Sequence, residues 1–271
     1  DDLAPLLAET FDVLAETAER GDLADRLRDD PSAARADEAM ATVRDAQRAG
    51  LQRQSRETEH WTYHGLDGLV AGFVLQRDVD VRDPEAAEFD RDALWRAGDE
   101  LLGWTAGPFA PSTGARWLAE LNALVRRLRD EPDPVVVYRD LVERVERGPR
   151  GKASVKPRRG DDFANDAAAW DAWRAIDGDT RKRAVRDGAL RDELLAPLRR
   201  WMAERLLRLR PVVLALYERV KARERVVDHV DLLVRLRDLL RERLDIRAAS
   251  QERFDHIFVD ECQDINAAQD A

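Results

Sequence analysis

The stretch that most constrains this chain lies near its far end: Phe254-Asp255-His256-Ile257-Phe258-Val259-Asp260-Glu261-Cys262-Gln263-Asp264. Ile257, Phe258 and Val259 are apolar and β-favouring, and they run straight into two acids. A strand buried on both faces of a parallel sheet reads this way when its C-terminal end opens into a site. The run is therefore a Walker B candidate. At such a strand tip an Asp can hold Mg²⁺ through oxygen ligands or bound water, and a neighbouring carboxylate can polarise an attacking water. Two acids alone are weak support, because many strands end in Asp or Glu for solubility.

The continuation is more specific. Residues 254 to 269 carry Phe254, His256, three apolar residues, Asp260, Glu261, Gln263, Asp264 and Gln269 in an order that resembles motif II of the UvrD-like superfamily 1 DNA helicases, a family that includes the RecB/AddA subunits. Upstream, Tyr217, Lys221 and Val227-Asp228-His229-Val230-Asp231-Leu232-Leu233 look like the segment those helicases carry just before motif II. Two positions depart from the pattern. His229 stands where the family usually has Phe, which puts a packing contact in doubt. Ile265 replaces the usual Thr and removes a hydroxyl that Asp264 or Asn266 could replace as a cap. Detailed similarity covers about 210 to 271, while the rest agrees in helical character and placement.

This resemblance implies a fold that is mainly α, with a helical insertion (1B-like) subdomain over 1–210. Residues 211–271 would then be a fragment, helix plus Walker B strand, of a RecA-like α/β P-loop ATPase domain. It also implies that the intact protein uses ATP and Mg²⁺, with Asp260 binding the metal, Glu261 activating water and Gln263 reporting the γ-phosphate. The implied partners are DNA at a duplex/single-strand junction and a RecC/RecD- or AddB-like subunit. Translocation in the 3′-to-5′ direction during repair or recombination follows from the same resemblance. Two rival readings stay open at this stage: a non-catalytic helical module that binds DNA or a partner, and another P-loop ATPase that shares only the Asp-Glu pair.

Composition narrows the remainder. A chain of 271 residues with 44% hydrophobic content can bury a core, and its 37% charged residues of both signs suit solvated helix faces. The net charge of −10 does not advertise nucleic-acid binding, so any DNA contact has to come from a local cluster of cations. One such cluster exists. Arg147, Arg150, Lys152, Lys156, Arg158 and Arg159 fall between 147 and 159 with no acid among them, and they are the candidate DNA-backbone contacts against the simpler reading of a solvated loop. Cys262 is the single cysteine, so no internal disulfide can form, and it occupies the variable position of motif II. No run of about 18 apolar residues appears, and the expectation is a cytoplasmic protein without membrane contact. The chain has no initiator Met and ends just past motif II, so it is expected to be a piece of a longer protein.

Apolar spacing predicts the helices. Leu3, Leu6, Leu7, Phe11 and Leu14 form a first stripe that stops at Gly21. Residues 34 to 58 are Ala- and Arg-rich with few large anchors and read as a solvated helix. Leu66, Leu69, Val70, Phe73 and Val74 form the next stripe, and Asp83-Pro84 should open another helix carrying Leu94, Trp95, Leu101 and Leu102. Residues 103 to 114 form a Gly/Pro loop before the clearest pattern of all, Trp117, Leu118, Leu121, Leu124, Val125 and Leu128. Pro132 and Pro134 bracket a turn before a short helix through Val145, and 147 to 162 reads as irregular. Trp170 and Trp173 are expected to pack in a core. A helical stretch from about 190 to 224 should break or kink at Pro197 and Pro211. Leu232, Leu233, Leu236, Leu239, Leu240 and Leu244 make the last stripe.

Two apparent motifs fail on spacing. Gly148 and Gly151 are too close for a phosphate-binding loop, and Ala153 stands where a Mg²⁺-binding hydroxyl is required. No Walker A element is present in these residues, so the chain alone is expected to be inactive as an ATPase. His60 and His64 have metal-ligand spacing, but Trp61 replaces the Glu of a zinc-protease helix and no third ligand is evident.

Overall fold

The computed structural model describes residues 3–51, 65–77, 88–150, 157–177 and 189–256. Every regular element among them is helical. The Walker B strand expected at Ile257–Val259, the Asp83-Pro84 break and the His60/His64 pair lie outside the described residues. The described elements are α1 (Ala4–Arg20), α2 (Leu23–Arg26), a 3₁₀ turn (Pro31–Arg35), α3 (Ala36–Arg48), α4 (Leu66–Leu75), α5 (Arg91–Thr105), α6 (Thr113–Leu128) and α7 (Pro134–Arg147). They continue with α8 (Arg159–Phe163), α9 (Ala167–Asp177), α10 (Ala189–Leu207), α11 (Arg210–Glu224), α12 (His229–Glu242) and α13 (Leu244–Gln251).

Local chemistry sets most of the ends. The side chains of Asp90, Ser112, Asp133 and Asp228 accept backbone N–H groups at the starts of α5, α6, α7 and α12, satisfying donors that have no helical partner. Gly21 closes α1 in the left-handed region at φ 75°, and its N–H bonds to Thr17 O.

The chain forms two compact units. One comprises residues 1–44, 52–83 and 208–271; the other comprises 45–51 and 84–207. In the first, α1, α4 and α11 pack against each other. They bury Leu7, Leu14, Val70, Val74, Val212, Val213, Leu216 and Tyr217. In the second, α5, α6, α7, α9 and α10 enclose an apolar core built on Leu101, Trp117, Leu121, Leu141, Phe163, Trp173 and Leu198. Trp170 and Trp173 lie 4.7 Å apart between centroids with their rings tilted by 36°, and Phe163 meets Trp170 edge-on at 5.3 Å; Trp173 is buried and Trp170 packs half-buried against the core, as expected for packing tryptophans. Gly114 is required by this packing, because a Cβ there would lie 2.2 Å from the Phe163 ring.

Four local expectations change on inspection. The segment expected to be a solvated helix forms α3, yet Ala36, Ala39, Met40, Val43 and Ala46 are buried along one face. Most of that buried face is alanine, so low apolar bulk was misleading there. The region 147 to 162, expected to be irregular, contains the short α8. Pro197 does not end α10, which runs through it, whereas Pro211 sits in the first turn of α11. In a first turn the missing proline N–H has no helical partner to lose. At Pro197, buried Leu194, Leu195, Leu198, Trp201 and Met202 hold the helix on both sides of the lost hydrogen bond. Finally, the leucine stripe near 232 to 244 is not core: α12 and α13 bury no residue, and Leu232, Leu236, Leu239 and Leu244 are 40–69% exposed.

Candidate functional site

The residues that resemble the helicase segment before motif II converge in space. Tyr217 and Lys221 occupy successive turns of α11, so they project from one face. Asp228 is the N-cap of α12 and Asp231 its third residue. The two acids form a reciprocal capping box: Asp228 Oδ1 accepts from Asp231 N at 3.0 Å, and Asp231 Oδ2 accepts from Asp228 N at 2.9 Å. Their remaining oxygens face α11. The Tyr217 hydroxyl donates to Asp228 Oδ2 at 2.6 Å, and Lys221 Nζ donates to Asp231 Oδ1 at 2.5 Å.

Arg77, just past α4, closes the cluster. Its guanidinium pairs with Asp228 and lies 3.4 Å from Asp231, while its Nη1 donates to Val74 O at 2.8 Å. Arg77 and Lys221 both approach the Tyr217 ring, at 5.4 and 4.8 Å from its centroid. The side chains of Asp228 and Lys221 are 1% and 3% exposed, so these charges are stable only because each is paired. The cluster balances two cations against two carboxylates, with the exposed Glu218 adding a further contact to Lys221 at 2.6 Å. Burial opposes ionisation of Asp228, but the Tyr217 hydroxyl, the Asp231 N–H and Arg77 together hold its carboxyl below the ordinary range. Burial also pushes the Tyr217 hydroxyl well up, and its bond to Asp228 adds to that shift.

Arg77 was absent from the sequence reading. A lone arginine after an apolar helix carries no signal of its destination. His229, the departure from the family pattern, is exposed, so no packing contact depends on it here.

The basic segment resolves into different roles. Arg147 ends α7. Arg150 is held by Asp162, with Nε at 2.9 and 3.0 Å and Nη2 at 2.7 Å from its carboxylate oxygens, and Asp162 also accepts the Arg158 N–H at 2.6 Å. That arrangement closes the two ends of the 151–157 stretch and commits Arg150 to a carboxylate. Arg158 and Arg159 are exposed and present their charge to solvent. Lys152 and Lys156 lie outside the described residues, as do Asp260, Glu261, Cys262, Gln263 and Gln269.

A groove of about 390 Å³ between α5 and α10 is lined by Glu88, Asp90, Glu100, Glu193 and Glu204 against Arg96 and Arg200. A predominance of carboxylates repels phosphate, so this groove is not a triphosphate site. Among the described residues no group of His, Cys, Asp and Glu has the arrangement of a metal site, and no helix is long and apolar enough to cross a membrane.

Tyr217, Lys221, Asp228 and Asp231, which carry the resemblance upstream of motif II, thus meet in one cluster between α11 and α12. Residues 183–271 match the family model of the UvrD/REP helicase N-terminal domain. Over that span, about a third of the chain, the sequence is similar to the UvrD-like superfamily 1 helicases. No curated protein and no solved structure matches the chain.

Proposed function

We propose that the chain is part of an ATP-dependent DNA helicase, with residues from about 211 returning into a RecA-like ATPase domain and carrying its motif II. The observation that carries this reading is the block match over 183–271, within which Tyr217, Lys221, Asp228 and Asp231 form one buried constellation ahead of Asp260 and Glu261. The boundary near 210 falls close to the change of compact unit between Leu207 and Arg208. Because α1 and α4 share a unit with α11, we place the helical insertion in residues 84–207 and count the N-terminal helices with the ATPase side.

Asp260 and Glu261 offer the hard oxygen donors that Mg²⁺ takes, and Mg²⁺ with ATP supplies charge neutralisation at the phosphates. Asp260 would bind the metal, Glu261 would accept the proton of the attacking water, and Gln263 would report the γ-phosphate. Translocation toward the 5′ end of the bound strand, a role in repair or recombination, and pairing with a RecC/RecD- or AddB-like subunit complete the proposal. Arg158 and Arg159 are the described cations best placed to meet a DNA backbone, because both are exposed.

The test uses the intact protein. Glu261→Gln should keep nucleotide binding while lowering DNA-stimulated turnover by about 10²-fold or more, because the amide keeps the shape but cannot take the proton. Asp260→Asn should instead weaken both the Mg²⁺ dependence and the nucleotide affinity. Near-normal turnover in Glu261→Gln would remove the chemical centre of this reading.

A further inference from the structure

The attachment of α12 is unlike that of the other long helices in its unit. α1, α4 and α11 are held by buried aliphatic side chains. α12 and the α13 that follows bury none, and their large apolar residues Leu232, Leu236, Leu239 and Leu244 face solvent. What is buried sits at the start of α12: the Asp228 carboxylate, with Asp231 one turn on, set against Arg77, Lys221 and Tyr217.

We infer that Arg77, Lys221, Tyr217, Asp228 and Asp231 form a polar latch that fixes the α12–α13 arm to its unit, so that the arm can release as a body while α1, α4 and α11 stay folded. Apolar burial is graded, and a helix held by it loosens side chain by side chain. A buried charge cluster is not graded. Removing any one of its four charged members leaves an uncompensated charge out of water, so the arm is either engaged with all its pairs made or free with all its charges hydrated. The geometry suits a two-state element for a second reason. Each carboxylate caps α12 from within and pairs with α11 or Arg77 from without, so release costs the outward pairs but leaves the capping box that keeps α12 helical. The inference stands on the contacts alone and does not require the helicase reading.

Amide hydrogen exchange on the 271-residue chain tests it. In Asp228→Asn, exchange across 229–251 should rise by about a hundredfold or more, the scale expected when a buried pair loses one member, while amides in α1, α4 and α11 change by less than about threefold. Asp231→Asn, at a less buried position, should show the same pattern with a smaller rise. Leu232→Ala, at an exposed position of the same helix, should leave the arm engaged. A parallel rise in α1, α4 and α11, no rise in the arm, or failure of both Asp variants to fold would each overturn the latch. The last outcome would mean that the cluster supports the whole unit.

Discussion

α6 and α12 carry equally clear leucine patterns and meet opposite fates. On α6, Trp117, Leu118, Leu121, Val125 and Leu128 are all buried, closed over by α5, α7 and α9. On α12, Leu232, Leu236 and Leu239 stand in solvent, and the helix is held at its first turn by charge. Amphipathic spacing states that a face is built to be covered. It does not state what covers it, or whether the cover is part of the same compact unit. The difference also separates two kinds of stability: continuous apolar packing in residues 84–207, and a small number of discrete ion pairs at the base of α12.

Truncation should expose that contrast most strongly on α6. Leu121→Ala removes a fully buried side chain from the centre of the apolar core and should cost about 2–5 kcal/mol, read as a lower urea midpoint. A loss below about 1 kcal/mol would mean the core collapses around the gap and is less rigid than its packing indicates.

pH should act on the other side of the comparison. Asp228 is held below the ordinary carboxylate range when folded, so its contribution is complete above about pH 4 and is lost as pH falls further, through its folded value. Acid is not selective, because Asp133 and Asp162 in the other unit are also held low, each against its own burial by hydrogen bonds and an arginine. The alkaline side is selective. The Tyr217 hydroxyl is raised, so its contribution is intact below about pH 10 and is lost as pH climbs above that. Of the three tyrosines, one should ionise only as the arm releases, and Tyr217→Phe should abolish that late component of the tyrosinate absorbance. Three tyrosines titrating together near pH 10 would contradict the buried hydroxyl–carboxylate bond.

The smallest effect belongs to the exposed leucines. Leu236→Ala should change the stability of the chain by no more than about 0.5 kcal/mol by thermal unfolding, since it removes no buried contact. A cost near that of Leu121→Ala would show that α12 is covered in solution and would erase the distinction drawn here.

Much of this organisation was legible beforehand, and the places where it was not share a cause. Helix existence followed from spacing at α1, α4 and α6, and the end of α1 followed from Gly21, because capping and periodicity involve residues within a turn or two of each other. The burial of α3 was missed because alanine carries little apolar weight in a pattern, although it permits the closest approach of backbones. Which of break or kink applies at Pro197 could not be read from spacing, because the packing that keeps α10 continuous there lies outside the local window. Tyr217, Lys221, Asp228 and Asp231 could be singled out as one motif, but their capping box and ion pairs could not be drawn from spacing.

By itself, then, the order of residues determined most of the helical segments, the helicase resemblance of about 210 to 271 and the Asp260-Glu261 pair on which the proposed chemistry rests. Only the tertiary structure decided that α1 and α4 share a core with α11, that Arg77 reaches an acid 151 positions away, and that the leucines of α12 remain uncovered. The physical reason is range. A turn of helix or a cap is settled by neighbours along the chain, whereas the partner of a buried charge and the cover of an apolar face are settled by whatever the fold brings alongside.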